Sequence, residues 1–173
     1  MIGEVFTFLS GLYFRGKLTY ALTFAHPPDP TSLLTAGGVL VITPSAGLRG
    51  AHTAVTLAAL RDFARVDVHP ANAAYRQPLE SSARALADEI GPECEVVLLG
   101  SIASPKYVDV LLGIFGERLL FPSAFVGRGD MSRGGLLLRQ AAEGRELAYV
   151  PVAGAILHGQ RPPKLTPLRR ASA

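Results

Sequence analysis

A chain of 173 residues has the size of one domain and can enclose a substantial core. Hydrophobic residues at 49% against 18% charged exclude a disordered chain. With 17 basic and 14 acidic residues the formal charge is +3 and the isoelectric point near 9.3, which excludes the strongly basic composition of a dedicated nucleic-acid binder and only mildly favours anionic ligands.

The single cysteine, Cys94, cannot form an internal disulfide and has no zinc-ligand spacing; preceding Val96, Val97 and Leu98, it reads as a packed thiol. The N-terminus lacks a basic region followed by an apolar stretch and a small-residue cleavage site, and no segment approaches the roughly 18 apolar residues of a membrane span. A cytoplasmic protein without a membrane partner is expected.

Residues 2–9, rich in strand formers and partly alternating, predict a first strand, broken by Ser10-Gly11. Phe14, Leu18, Ala21, Leu22 and Ala25 recur on one helical face, which places Arg15 and Lys17 at a helix start, where cations oppose the dipole and hint at an anion. His26-Pro27-Pro28-Asp29-Pro30 is a loop. Residues 38–43 form a continuous apolar run typical of a strand buried on both faces of a parallel sheet, and 44–50 read as a flexible turn leaving it. A helix follows through Leu57, Leu60 and Ala64, then a short strand at 66–68.

Residues 72–77 read as connecting structure before a helix carrying Leu79, Ala83, Leu86, Ala87 and Ile90, ended by Gly91-Pro92. The strongest strand pattern is 95–99, delivered into Gly100-Ser101-Ile102-Ala103-Ser104 and a helix opened by Pro105 with Ser104 as its cap. Gly116 closes that helix, 118–121 supply a strand, the stretch 126–139 introduces the last helix, and 147–152 form the final strand. Alternation of this kind predicts an α/β fold: a three-layer, Rossmann-like sandwich with a mainly parallel central sheet of about five or six strands. Residues 1–157 form this single domain, and 158–173, with three prolines and basic side chains that include His158, form a tail.

Ligands of such folds bind beyond the carboxyl ends of the strands. The loops expected there carry Arg15 and Lys17; Ser45, Gly47 and Arg49; Gly100, Ser101, Ser104 and Lys106; and Arg128, Gly129, Ser132, Arg133 and Gly134. The last group is the most suggestive. If Asp130 or Ser132 caps the final helix, Gly134 and Gly135 fall near its first turn, whose unpaired N–H groups attract phosphate or carboxylate, and Arg128 and Arg133 add planar cations.

Neither nucleotide fingerprint is complete. Gly129 to Gly134 has the spacing of a phosphate-binding loop but is followed by Gly135 and Leu136, and Gly127 and Gly129 are followed by Ser132 where a third dinucleotide-site glycine belongs. No cofactor is therefore expected, and histidines at 26, 52, 69 and 158 give no metal-ligand spacing. Thr43-Pro44-Ser45-Ala46-Gly47 approximates a nucleophile elbow without its first glycine, and Asp130 is a carboxylate beside two arginines; these are the two catalytic candidates. The expectation is a protein that binds a nucleotide, nucleoside or other phosphorylated metabolite, with hydrolase or transferase chemistry at a glycosidic or phosphoester bond as its enzymatic form. The alternatives are a nucleic-acid-associated module and a non-catalytic homo-oligomeric interaction protein.

Overall fold

The computed structural model describes residues 1–103, 105–155, 159, 162, 163 and 165; Ser104 and most of the 158–173 tail, His158 included, lie outside them. The chain runs through α1 (Ile2–Phe24), β1 (Leu40–Thr43), β2 (Gly47–Gly50), α2 (Leu57–Arg65), α3 (Ala73–Ile90), β3 (Val96–Val97), α4 (Pro105–Phe115), β4 (Leu119–Pro122), α5 (Asp130–Glu143) and β5 (Tyr149–Pro151). Among the described residues the strands form two small sheets, an antiparallel β1–β2 hairpin and a three-stranded β3-β4-β5 sheet. The expected Rossmann-like sandwich with a parallel sheet of five or six strands is therefore not the fold. Only β3 and β4 are parallel, joined through α4, and β5 runs antiparallel to β4.

Three local outcomes account for the difference. Residues 2–9 are helical despite their strand formers, because tertiary partners outweigh a weak propensity. The amides of Ile2 and Gly3 donate to the carbonyls of Thr53 (2.9 Å) and Ala51 (3.0 Å), satisfying donors that a helix start leaves open. Ile2 is buried, and the Phe6 ring packs against Phe14 and Phe63. A kink at Gly11 (φ 66°, ψ −147°) joins this segment to the rest of α1.

Residues 38–43 supply a strand, but the chain then reverses rather than crossing over. The buried Thr43 hydroxyl donates to the Gly47 carbonyl (2.8 Å) and accepts from the Ala46 amide (3.0 Å), which closes the turn. Gly47 sits at φ 67°, and a Cβ there would lie 2.2 Å from the Pro78 carbonyl oxygen of α3. Ser82 of α3 accepts from the Leu48 amide (2.8 Å), so the hairpin is docked on that helix. The strand expected at 66–68 does not form, and β3 retains two residues of the run 95–99.

The helices from α2 onward keep their sequence-level logic. Thr56 accepts from the Ala59 amide and Asn72 from the Ala74 amide, side-chain caps that start α2 and α3. Asn72 thus converts the supposed connector 72–77 into the first turns of α3, burying Tyr75 and Leu79. The main core gathers the buried faces of α3, α4 and α5, the β3-β4-β5 sheet and Tyr20. A second cluster of Ile2, Val39, Val41 and Ala51 lies under the N-terminal half of α1 and the hairpin. α1 contributes to both, and its contact with α5 is the most extensive between any two elements. None of the described helices is long and apolar enough to cross a membrane.

Candidate functional site

The glycine-arginine stretch is tied mainly to itself and to α1. Gly129, not Asp130 or Ser132, is the N-cap of α5, and no side chain caps that end. Asp130 stands in the first turn, where its charge suits the helix dipole, 3.6 Å from Arg133 Nη1. Arg128 donates from Nε to the Ala124 carbonyl (3.0 Å) and from Nη1 to the Ser132 hydroxyl (3.2 Å). Arg133 directs Nε and Nη2 at the Phe125 carbonyl (3.3 and 3.2 Å) and lies over the Phe125 ring. Both guanidiniums therefore staple the turn that leads into α5.

Gly134 does not face an anion at the helix start. It is buried one turn further in, where a Cβ would come within 2.8 Å of the Leu12 carbonyl oxygen and 2.9 Å of Tyr13 Cα. Gly16 of α1 is its counterpart, since a Cβ there would lie 2.6 Å from the Gly134 carbonyl oxygen. These two glycines let the helix backbones touch, and the contact sets Lys17, one residue on from Gly16, near Asp130.

Around that crossing the structure collects part of the expected set. The loop Gly100-Ser101 is held by two tyrosines: Tyr13 donates to the Leu99 carbonyl (3.1 Å) and Tyr107 to the Ser101 carbonyl (2.9 Å). Arg133 and Gly100 border one small recess. Burial raises the Tyr13 phenol to about 12, against the opposing influence of the neighbouring Arg133. Lys17, Gly100, Ser101, Asp130 and Arg133 are thus neighbours in one region.

The others are dispersed. Ser45 lies in the hairpin turn, which returns into β2 and not into a helix as a nucleophile elbow requires. Gly47 is pressed on α3, and Arg49 is exposed on β2. Arg15 and Lys106 are exposed on α1 and α4. The idea that all these loops share one sheet edge lapses with the sheet itself.

A cavity of about 830 Å³ lies between the two hydrophobic clusters, bounded by α1, the hairpin, α3, β3 and α4. Its lining is mainly apolar, with Phe14, Phe24 and Phe115 among the aromatic walls; Lys17 is the cation on it, and Glu93, Glu95 and Glu146 are its carboxylates. The hairpin contributes Thr43, Pro44 and Leu48. The volume falls within the ~300–1,000 Å³ of small-molecule sites.

Lys17 is half-buried, and no carboxylate of the described residues forms an ion pair with it. Its Nζ lies 4.5 Å from the centre of the Tyr13 ring and 5.2 Å from that of Phe14. Burial lowers its affinity for the proton, partly opposed by Asp130. Cation–ring contacts contribute only ~0.5–2 kcal/mol each. They steady the ammonium, whose acidic neighbour Asp130 lies outside ion-pair contact.

Sequence reasoning did not bring the tyrosines together around a cavity. All five contribute: Tyr20, Tyr75, Tyr107 and Tyr149 line the cavity, and Tyr13 underlies Lys17. At one rim the Leu147 amide donates to the Tyr20 oxygen (2.7 Å), Tyr20 donates to Tyr149 (2.7 Å), and Tyr149 donates to the Glu146 carboxylate (2.8 Å). The direction follows because Tyr149 spends its proton on the carboxylate. A signal did exist in the sequence: Tyr13, Lys17 and Tyr20 stand at helical spacing on one face of α1.

Comparison of the chain with protein-family models, curated protein sequences and solved structures gives no significant match.

Proposed function

We propose that this protein binds a small organic anion whose apolar, ring-containing body fills the cavity between the two clusters and whose phosphate or carboxylate meets Lys17. The observation that carries the reading is the half-buried Lys17 ammonium, with no carboxylate of the described residues in ion-pair contact, on the wall of a mainly apolar cavity whose other charged lining residues are Glu93, Glu95 and Glu146. A partly buried cation with only the more distant Asp130 to balance it gains stability when a closer counter-charge arrives. An anionic ligand supplies that charge, and the aromatic walls suit its body. Phosphorylated metabolites, nucleotides among them, belong to this ligand class. The reading is one of binding; Asp130 is engaged with Arg133, and Ser45 lies in a hairpin turn rather than a strand-to-helix elbow.

A matched set of naphthyl phosphate, naphthoate and naphthol tests this by thermal shift and calorimetry. The two anions are expected to bind more tightly than the neutral alcohol. Lys17→Met, which keeps the aliphatic stem, should weaken the anions by about tenfold or more, from the ~1.5–3 kcal/mol of a charge-assisted hydrogen bond, and leave naphthol unchanged. Equal binding of all three, or anion binding indifferent to Lys17→Met, sinks the proposal.

A further inference from the structure

The five tyrosines differ in one respect. Tyr13 and Tyr107 donate to backbone carbonyls, and Tyr20 and Tyr149 bond to each other. Tyr75 is 1% exposed, and its hydroxyl has no hydrogen-bond partner among the described residues. It stands in the first turn of α3, packs with Leu79 and Ala83 in the main core, and lines the cavity on a different element from Lys17. Leaving a buried hydroxyl unbonded is destabilising, whereas phenylalanine fills nearly the same space without that penalty. Folding alone therefore favours phenylalanine at this position, and the phenol calls for a partner supplied from the cavity.

We propose that the Tyr75 hydroxyl is a second polar anchor in the cavity, donating a hydrogen bond to an oxygen on the ligand's apolar body. This rests on the anion-binding reading and narrows it. The ligand is an anionic ring compound bearing a hydroxyl or carbonyl oxygen apart from its charged group, held at Lys17 by charge and at Tyr75 by a directional bond. Burial, reinforced by the neighbouring Tyr107, pushes the Tyr75 phenol up to about 12, so it keeps its proton and remains a donor across the neutral range. A plain aromatic acid meets only the first requirement. Discrimination between hydroxylated and unhydroxylated acids would originate at this one atom.

The test compares naphthoate with hydroxynaphthoate isomers that carry the hydroxyl at different ring positions, on wild-type protein and on Tyr75→Phe. At least one isomer is expected to bind wild type about two- to tenfold more tightly than naphthoate, the range of a single net hydrogen bond. In Tyr75→Phe that preference disappears while naphthoate affinity holds, and the melting temperature without ligand stays level or rises. Three results overturn the inference: no isomer preferred over naphthoate, a preference that survives Tyr75→Phe, or a clear drop in the ligand-free melting temperature, which would reveal an existing partner for the hydroxyl. If naphthoate and naphthyl phosphate do not bind at all, the anion-binding reading falls and this inference falls with it. If they bind through Lys17 but the isomers do not discriminate, only the role of Tyr75 is lost.

Discussion

The crossing of α1 and α5 gives the sharpest prediction, because adjacent glycines on one helix should respond in opposite directions. Gly134→Ala places a Cβ 2.8 Å from the Leu12 carbonyl oxygen, more than half an ångström short of the 3.4 Å at which ordinary contact begins. Tyr13 Cα, at 2.9 Å, blocks the same space. Both are backbone atoms of α1, so no side chain can rotate away and the helices must part. Overpacking of this kind costs ~1–3 kcal/mol. Replacing a mid-helix glycine by alanine returns ~1 kcal/mol through propensity, leaving a net loss of up to about 2 kcal/mol. Gly135→Ala meets only Leu165 Cδ1 at 3.7 Å and should keep most of the propensity gain. The two variants should differ by roughly 1–3 kcal/mol, the overpacking cost alone, which at ~2–4 °C per kcal/mol is roughly 2–12 °C in melting temperature. Circular-dichroism melts and urea titrations read this directly. Equal stability of the two variants would refute the close crossing, and with it the account of how Lys17 is positioned.

Two further outcomes are expected. Gly47→Ala forces a left-handed residue against the Pro78 carbonyl and the Ser82 hydroxyl, 2.2 and 2.3 Å from the new Cβ, so a loss of at least ~3 kcal/mol is expected in urea unfolding, and wild-type stability would contradict the docking of the hairpin on α3. Tyr13 and Tyr75 are raised from 10.0 to about 12 by burial, so the folded state holds their protons more tightly than the unfolded chain. Their contribution to stability is complete below pH 10 and is lost as pH rises through 12. An ultraviolet titration should therefore show a late phenolate fraction whose appearance coincides with alkaline unfolding; complete ionisation near pH 10 with the fold intact would count against their burial.

The region that binds, on this reading, was only partly visible in the chain. Lys17 stood out as a cation where a helix start disfavours one, and the structure gives it an aromatic surround and no described carboxylate partner. Arg128 and Arg133 stood out for charge, yet their donors go to the carbonyls of Ala124 and Phe125 a few residues earlier. A count of charges cannot reveal that, because whether a guanidinium faces a ligand or its own backbone depends on the path of the turn. Tyr75 gave no signal of its own. It falls in the segment 72–77 that reads as a connector, and an unbonded hydroxyl is visible only after every neighbour has been placed.

The sequence by itself determined what is local. Hydrophobic spacing and the capping side chains Thr56 and Asn72 fix α2 and α3, Pro105 opens α4, and Gly91 ends α3, since these rest on contacts within a few residues. Tertiary structure decided what depends on distant partners. Residues 2–10 took a helix because the carbonyls of Ala51 and Thr53 receive their first amides. The apolar run ending at Thr43 became half of a hairpin because α3 receives Gly47. Gly134 turned toward α1 because Gly16 lies opposite it. The cavity is likewise tertiary: it is the space left between two hydrophobic clusters that share α1, and no segment of the chain encodes it alone.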